Sequence, residues 1–358
     1  MPWRVTLNLN ERILKLWKST CPFGTKVDEI NFFRPSQRGP NRMTSQELRI
    51  GTRGSQLALY QANWVRERLL QTHPHLKVTL IKIKTTGDKI QDAPLAKIGG
   101  KGLFVKEIEE ALRDRRIDLA VHSIKDVPTE FPEGLHLSAI TKREDPRDVF
   151  ISKDGTHLKD LPQGAKIGTS SLRRQAQLLY FRGDFQMIPL RGNLDTRMKK
   201  LDTKNLDGIV LALAGVRRLG LESRITEIIP TEISLPAIGQ GALGIETRKK
   251  DERVEEHIQF LNDPTSSVAV SAERAFLKKL GGGCQVPIAA FGRIVGSTLQ
   301  IDGLVGTVDG KRLVRHHLEG LPEEAESLGT ALAEVLLKEG AKEILEGIYQ
   351  RSGSTISI

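Results

Sequence analysis

From Glu47 onward the chain alternates two hydrophobic periods, short apolar runs and longer stretches with apolar residues three and four apart. Leu48-Arg49-Ile50-Gly51 predicts a strand, and Ser55 is placed to cap a helix whose apolar face is Leu57, Leu59, Ala62, Val65 and Leu69, ending near His73-Pro74. Leu76, Val78 and Leu80 alternate as a second strand running to Lys84. Phe104 to Arg115 predicts a helix and Asp118 to His122 a third strand. The same alternation restarts after Arg143-Glu144-Asp145-Pro146: a strand at Lys166–Gly168, a cap at Thr169-Ser170-Ser171, and a helix carrying Arg173 and Arg174. Met187 to Leu190 is another strand, ending in Arg191-Gly192-Asn193, and Arg197 falls on the next helix. Gly208 to Ala214 is a near-continuous apolar strand, as a parallel sheet covered on both faces requires. A third region gives a helix over Ser266 to Leu280, a loop at Gly281-Gly282-Gly283-Cys284, strands within Pro287 to Leu318 with a turn at Asp309-Gly310, and closing helices over Glu323 to Gln350.

This pattern predicts an α/β protein of two similar lobes with polar groups at their strand tips, facing a shared cleft, plus a small C-terminal α+β domain. Lobe 1 is expected over 45–141 plus 240–260, lobe 2 over 145–236, and the α+β domain over 263–358. Pro236 to Gly244 contains a Gly-x-Gly-x-x-Gly match, but it leads into a strand rather than a helix. It reads as a crossing between lobes, not a dinucleotide site. Residues 1–44 lack the periodicity of the rest and are expected to be a disordered extension or a start assigned too far upstream.

Composition excludes several classes. The 358 residues are 39% hydrophobic and 27% charged, and no apolar run approaches the roughly 18 residues a membrane span needs. Of the net charge of +10, half comes from residues 1–42, with eight Lys/Arg against three Asp/Glu. With aromatics at 5% and no zinc-finger or helix-turn-helix spacing, neither a nucleic-acid partner nor a membrane partner is expected. Cys21 and Cys284 make no disulfide framework, which points to a reduced, cytoplasmic setting, and no metal-ligand spacing is present.

The chemistry concentrates at Leu119 to Pro128, where a buried strand gives way within five residues to Ser123, Lys125 and Asp126. Pro128 prevents a long helix and leaves Asp126 in a short turn at a strand's carboxyl end. Arg53, Arg173, Arg174, Arg191 and Arg197 all fall at strand tips or first helical turns. Such guanidinium groups suit a ligand with several carboxylates, each held by bidentate charge-assisted hydrogen bonds. Three glycines before Cys284 leave its sulfur approachable, so it reads as a tethering or nucleophilic thiol. On these residues alone an enzyme, a solute-binding or sensor protein, and an anion or nucleic-acid binder all remain open. A covalent mass increment would favour the first, strongly salt-dependent DNA binding the last.

Thr52-Arg53-Gly54-Ser55-Gln56-Leu57-Ala58, Val121 to Pro128, Gly168 to Arg174, Leu190-Arg191-Gly192-Asn193 with Thr196-Arg197, and Gly282 to Pro287 together resemble the hydroxymethylbilane synthase family, also called the porphobilinogen deaminases. The resemblance runs from about residue 47 to the C-terminus. It implies two lobes like the type II periplasmic binding proteins, and a transferase that condenses four porphobilinogen molecules head to tail into hydroxymethylbilane with loss of ammonia. The implied cofactor is dipyrromethane joined to Cys284 by a thioether. Asp126 would be catalytic, stabilising the cation left when ammonia departs. Arg53, Ser55, Lys101, Ser123, Lys125, Thr169, Ser171, Arg173, Arg174, Arg191, Arg197 and Gln240 would hold rings and carboxylates. The implied partner is the small-molecule substrate alone, acting on a cytoplasmic monomer.

Overall fold

The computed structural model describes residues 47–89, 104–282 and 286–352. Its first sheet contains β1 (Glu47–Thr52), β2 (Lys77–Lys82), β3 (Leu119–Ser123) and β4 (Leu135–Ile140), with the late strand β10 (Leu243–Arg248) inserted between β3 and β4. β1 runs parallel to β2 and β3, whereas β10 is antiparallel to both its neighbours. The second sheet contains β5 (Asp148–Ser152), β6 (Lys166–Gly168), β7 (Gln186–Ile188), β8 (Gly208–Ala212) and β9 (Glu227–Ile228), in the order β7-β6-β8-β5-β9. Each sheet therefore follows one scheme, 2-1-3-n-4, in which the antiparallel n strand is delivered by a chain segment crossing between lobes. These are two doubly wound lobes of the type II periplasmic-binding arrangement.

Helices cover both faces of each sheet, and this is why the central strands β3, β5 and β8 are buried on both sides. In the first, α1 (Gln56–Thr72) packs Ala62, Val65 and Leu69 against Leu48 and Ile50, while α2 (Lys106–Arg113) packs Ile108 and Leu112 against Ala120. In the second, α3 (Leu172–Phe181) packs Leu178 with Phe150 and Ile167, and α4 (Leu194–Thr203) packs Leu201 with Ile151 and Ile209. The apolar run expected to stay extended to Ala214 instead turns into α5 (Leu213–Arg218) after Ala212. Leu213, Ala214 and Val216 are buried as helix residues, so an unbroken hydrophobic run does not separate the two conformations. The strand expected to reach Leu190 stops at Ile188, since Pro189 cannot donate to the ladder.

After α6 (Glu252–Ile258) comes α7 (Pro264–Lys279), capped by Asp263, whose carboxylate accepts from the Ser266 amide, with Pro264 in the first turn. The three-stranded antiparallel sheet β11 (Ile288–Val295), β12 (Thr298–Gly306) and β13 (Leu313–Gly320) lies against α7, α8 (Ala325–Leu336) and α9 (Lys342–Ser352) around Phe276, Leu280, Ile301 and Leu332. No helix among the described residues is long and apolar enough to cross a membrane.

Two segments join the lobes, residues 141–147 and 234–242. Gly239 and Gly241 have φ of +66° and +98°. A Cβ on Gly239 would lie 2.0 Å from Ile124 Cγ2, and one on Gly241 would lie 2.3 Å from the Glu144 carbonyl oxygen. Only glycine lets the returning segment pass so close to both the turn after β3 and the outgoing segment.

Candidate functional site

Strand tips from both sheets open onto one cavity of about 550 Å³. β1 runs into Arg53 and Ser55, and the Ser55 hydroxyl accepts from the Ala58 amide as the N-cap of α1. Arg53 lines the cavity, ion-paired to Asp88 and stacked 4.2 Å from the centre of the Phe104 ring. β3 ends at Ser123, whose hydroxyl accepts from the Gln61 amide. A single 3₁₀ turn, Ile124–Asp126, follows before Val127 and Pro128. This turn buries Ile124 and exposes Asp126 to the cavity, with Lys125 beside it. The Lys125 ammonium donates to Gln240 Oε1, and burial, with Arg174 adding to it, lowers its pKa to about 8.

Across the cavity, β6 leads through Thr169, Ser170 and Ser171 into α3. Thr169 Oγ1 accepts from the Ser171 amide and Ser171 Oγ from the Arg174 amide, so these two hydroxyls build the turn and the cap. Ser170 is the member of the trio that lines the cavity. Arg174 lines it too, whereas Arg173 turns behind the wall to Asp148 Oδ2 and the Leu235 carbonyl. β7 leads to Arg191 and to Asn193, the N-cap of α4. Arg197 on that helix donates to the Gly192 carbonyl, and burial, followed by the nearby Arg174, lowers its pKa to about 10. Gln240 arrives on the returning segment, bound to Asp148 and the Pro146 carbonyl.

The cavity thus gathers Arg53, Ser55, Ser123, Lys125, Asp126, Arg174, Arg191, Arg197 and Gln240 from the residues singled out in the sequence. Thr169, Ser171 and Arg173 support it from outside. Lys101 and Cys284 lie outside the described residues. The sequence reading missed Arg218, Lys84, Asp88 and Gln61, all of which line it. Arg218, held by the Gly241 carbonyl, ends the short helix Leu213–Arg218, whose first two residues alone were expected to continue the strand and whose remainder was given no element.

The wall carries seven cationic side chains against two carboxylates, Asp88 and Asp126. Arg191 Nη1 and Arg174 Nε are buried without hydrogen-bond partners among the described residues. Buried donors of this kind are costly unless a ligand satisfies them, and a polyanion does so with charge assistance.

The family models and the curated relatives agree on one family. The family described as "Porphobilinogen deaminase, dipyromethane cofactor binding domain" matches residues 48–256, and "Porphobilinogen deaminase, C-terminal domain" matches residues 267–338. The chain is 58% identical over 312 residues to the porphobilinogen deaminase of Geotalea uraniireducens, covering 87% of this chain and 98% of that protein. It is 59% identical over 309 residues to that of Geobacter metallireducens, covering 86% and 97%. Among solved structures, one described as the "probable amino-acid ABC transporter extracellular-binding protein" of Bacillus subtilis aligns at 12% identity and a TM-score of 0.37, covering 60% of this chain and 90% of that one. With two family domains matched in order and relatives aligned almost end to end, the chain belongs to the porphobilinogen deaminase family.

Proposed function

We propose that the cavity between the lobes condenses four porphobilinogen molecules head to tail into hydroxymethylbilane, releasing ammonia at each addition, with Asp126 as the catalytic carboxylate and Cys284 as the cofactor's attachment point. The observation that carries this reading is Asp126 itself, an exposed carboxylate fixed by a one-turn helix within a wall of cations. The enzyme is a transferase of tetrapyrrole biosynthesis and porphobilinogen is its substrate. Dipyrromethane, when bound, supplies the pyrrole carbon to which the first porphobilinogen is joined.

The residues suit that group. Two pyrroles, each with an acetate and a propionate, present four carboxylates, and Arg174, Arg191, Arg197 and Lys125 offer cationic partners around the cavity, two of the arginines with unpaired buried donors. Arg53 and Arg218 extend this set, while Ser55, Ser123 and Gln240 orient rings. Thr169, Ser171 and Arg173 keep the wall in shape, and Lys101 adds a further charge. Asp126 accepts from pyrrole N–H groups and stabilises the cation formed on the incoming porphobilinogen as ammonia leaves. A carboxylate about 4 Å from that cation contributes on the order of 4 kcal/mol at an effective dielectric near 20, or several powers of ten in rate. The reaction is that of a cytoplasmic monomer with no nucleic-acid partner, in a reducing compartment that keeps a lone thiol available.

Two variants, with loading read by intact mass, test the assignment. Asp126→Asn should carry the mass of two deaminated substrate units and lose kcat by more than a hundredfold with little change in KM, while Asp126→Glu retains part of the activity. Cys284→Ser should fold without the added mass. A loaded Asp126→Asn enzyme within about tenfold of wild type would remove Asp126 from the catalytic role, and a loaded Cys284→Ser protein would move the attachment elsewhere.

A further inference from the structure

Behind the cavity wall sits a carboxylate that never reaches the cavity. Asp148 opens β5 and is fully buried. Its Oδ2 accepts from Arg173 Nη1 at 2.8 Å and from the Ser234 hydroxyl at 2.9 Å, and its Oδ1 from Arg174 Nη2 at 2.7 Å and Gln240 Nε2 at 2.9 Å. These four donors come from α3 and from the segment returning between the lobes. Two of them, Arg174 and Gln240, line the cavity, and Gln240 passes the contact on, its Oε1 accepting from the Lys125 ammonium.

Resting on the functional reading above, we propose that Asp148 is a positioning residue for this site: it aims Arg174 directly and Lys125 through Gln240, and its charge sets the alkaline end of the range over which the cavity takes a carboxylated ligand. Burial alone would raise the Asp148 carboxyl, but the guanidiniums of Arg173 and Arg174 outweigh it and hold the group well below the usual carboxylate range. Asp148 is therefore a fixed negative charge at every working pH. Lys125 responds to it. Burial and the cations Arg174 and Arg173 push the ammonium toward its neutral form, while Asp126 beside it and Asp148 behind it pull the other way. Removing the Asp148 charge lowers Lys125 further, so the ammonium that meets a substrate carboxylate is lost at lower pH.

The experiment uses the full-length, cofactor-loaded enzyme with porphobilinogen. Asp148→Asn should move the alkaline limb of kcat/KM down by about one pH unit. KM at pH 8 should rise about fivefold, as the charged fraction of an amine moved from about 8 to about 7 falls from one half to about one eleventh, and return toward wild type at pH 6.5. Lys125→Arg, whose charge persists across this range, should abolish that limb, and adding Asp148→Asn to it should not restore it. Trace acetylation of Lys125 against pH, read by peptide mass, follows the amine without any turnover and should show the same downward shift. A folded, loaded Asp148→Asn enzyme with reduced activity but an unmoved limb and an unmoved acetylation profile would make Asp148 merely structural. Should Asp148→Asn fail to fold, a Lys125→Arg enzyme that kept the wild-type limb would overturn the proposal by itself. If wild type fails to turn over porphobilinogen, the functional reading falls, while the acetylation profiles still decide the link from Asp148 to Lys125.

Discussion

A buried charge is tolerated only with partners, and the cost of a poor set shows in pH dependence. Directly behind β3, the His122 ring shares a hydrogen bond of 2.8 Å with Glu246, and Glu109 of α2 completes the group. Glu246 Oε1 has no partner among the described residues. Burial, then repulsion from Glu246, raises the Glu109 pKa from 4.5 to about 7. A carboxyl raised on folding stabilises the fold fully below its unfolded value and loses that contribution as pH climbs through the folded one. Wild type should therefore lose thermal stability between pH 5 and pH 8, and Glu109→Gln should flatten that decline, with a Tm above wild type at pH 8 and close to it at pH 5. Differential scanning calorimetry at both pH values decides this, and parallel curves for the two proteins would count against it.

Elements were legible where a period and a cap coincide. Ser55 before α1 and Ser171 before α3 both cap as the sequence suggests, because a hydroxyl at that position has one efficient use, satisfying an amide the helix leaves open. Strand-tip arginines were legible for a related reason, since topology alone aims such positions at the crevice. Partners far apart in sequence were not. That Arg173 turns away to Asp148, 25 residues distant, while Arg174 faces the cavity depends on how α3 is rotated against β5, and no local pattern records it. The crossing glycines allow a controlled test. Gly220, at φ +66°, would meet nothing within 4 Å on gaining a Cβ, whereas Gly241 would meet the Glu144 carbonyl oxygen at 2.3 Å. Gly220→Ala should cost about 1–2 kcal/mol for the left-handed backbone alone. Gly241→Ala should cost distinctly more, since the obstacle is main chain, and equal losses in urea denaturation would show that the two crossing segments part easily.

The molecule as a whole is tied at Glu273 on α7. Its Oε1 accepts from the Gly292 amide of β11, its Oε2 from the Gly239 amide of the returning segment, and Arg143 of the outgoing segment donates to both. One fully buried carboxylate thus gathers both lobe crossings and the third sheet. Glu273→Gln should cost about 3–5 kcal/mol, since it strands the Arg143 guanidinium, and adding Arg143→Met should cost far less than the sum of the two single changes. Additive losses in a double-mutant cycle would show the contacts act separately. The insertion of β10 between β3 and β4 also bears on how the chain folds as it is made. Leu243 pairs with Ser123 across 120 positions, so β3 and β4 wait, with unpaired edges, until the ribosome has passed Arg248. All five strands of the second sheet, by contrast, lie between Asp148 and Ile228. The lobe translated second is therefore the first that can close, and a nascent chain that has emerged from the ribosome as far as about residue 240 should present a finished lobe 2 behind an open lobe 1, vulnerable to proteases and in need of a chaperone's cover.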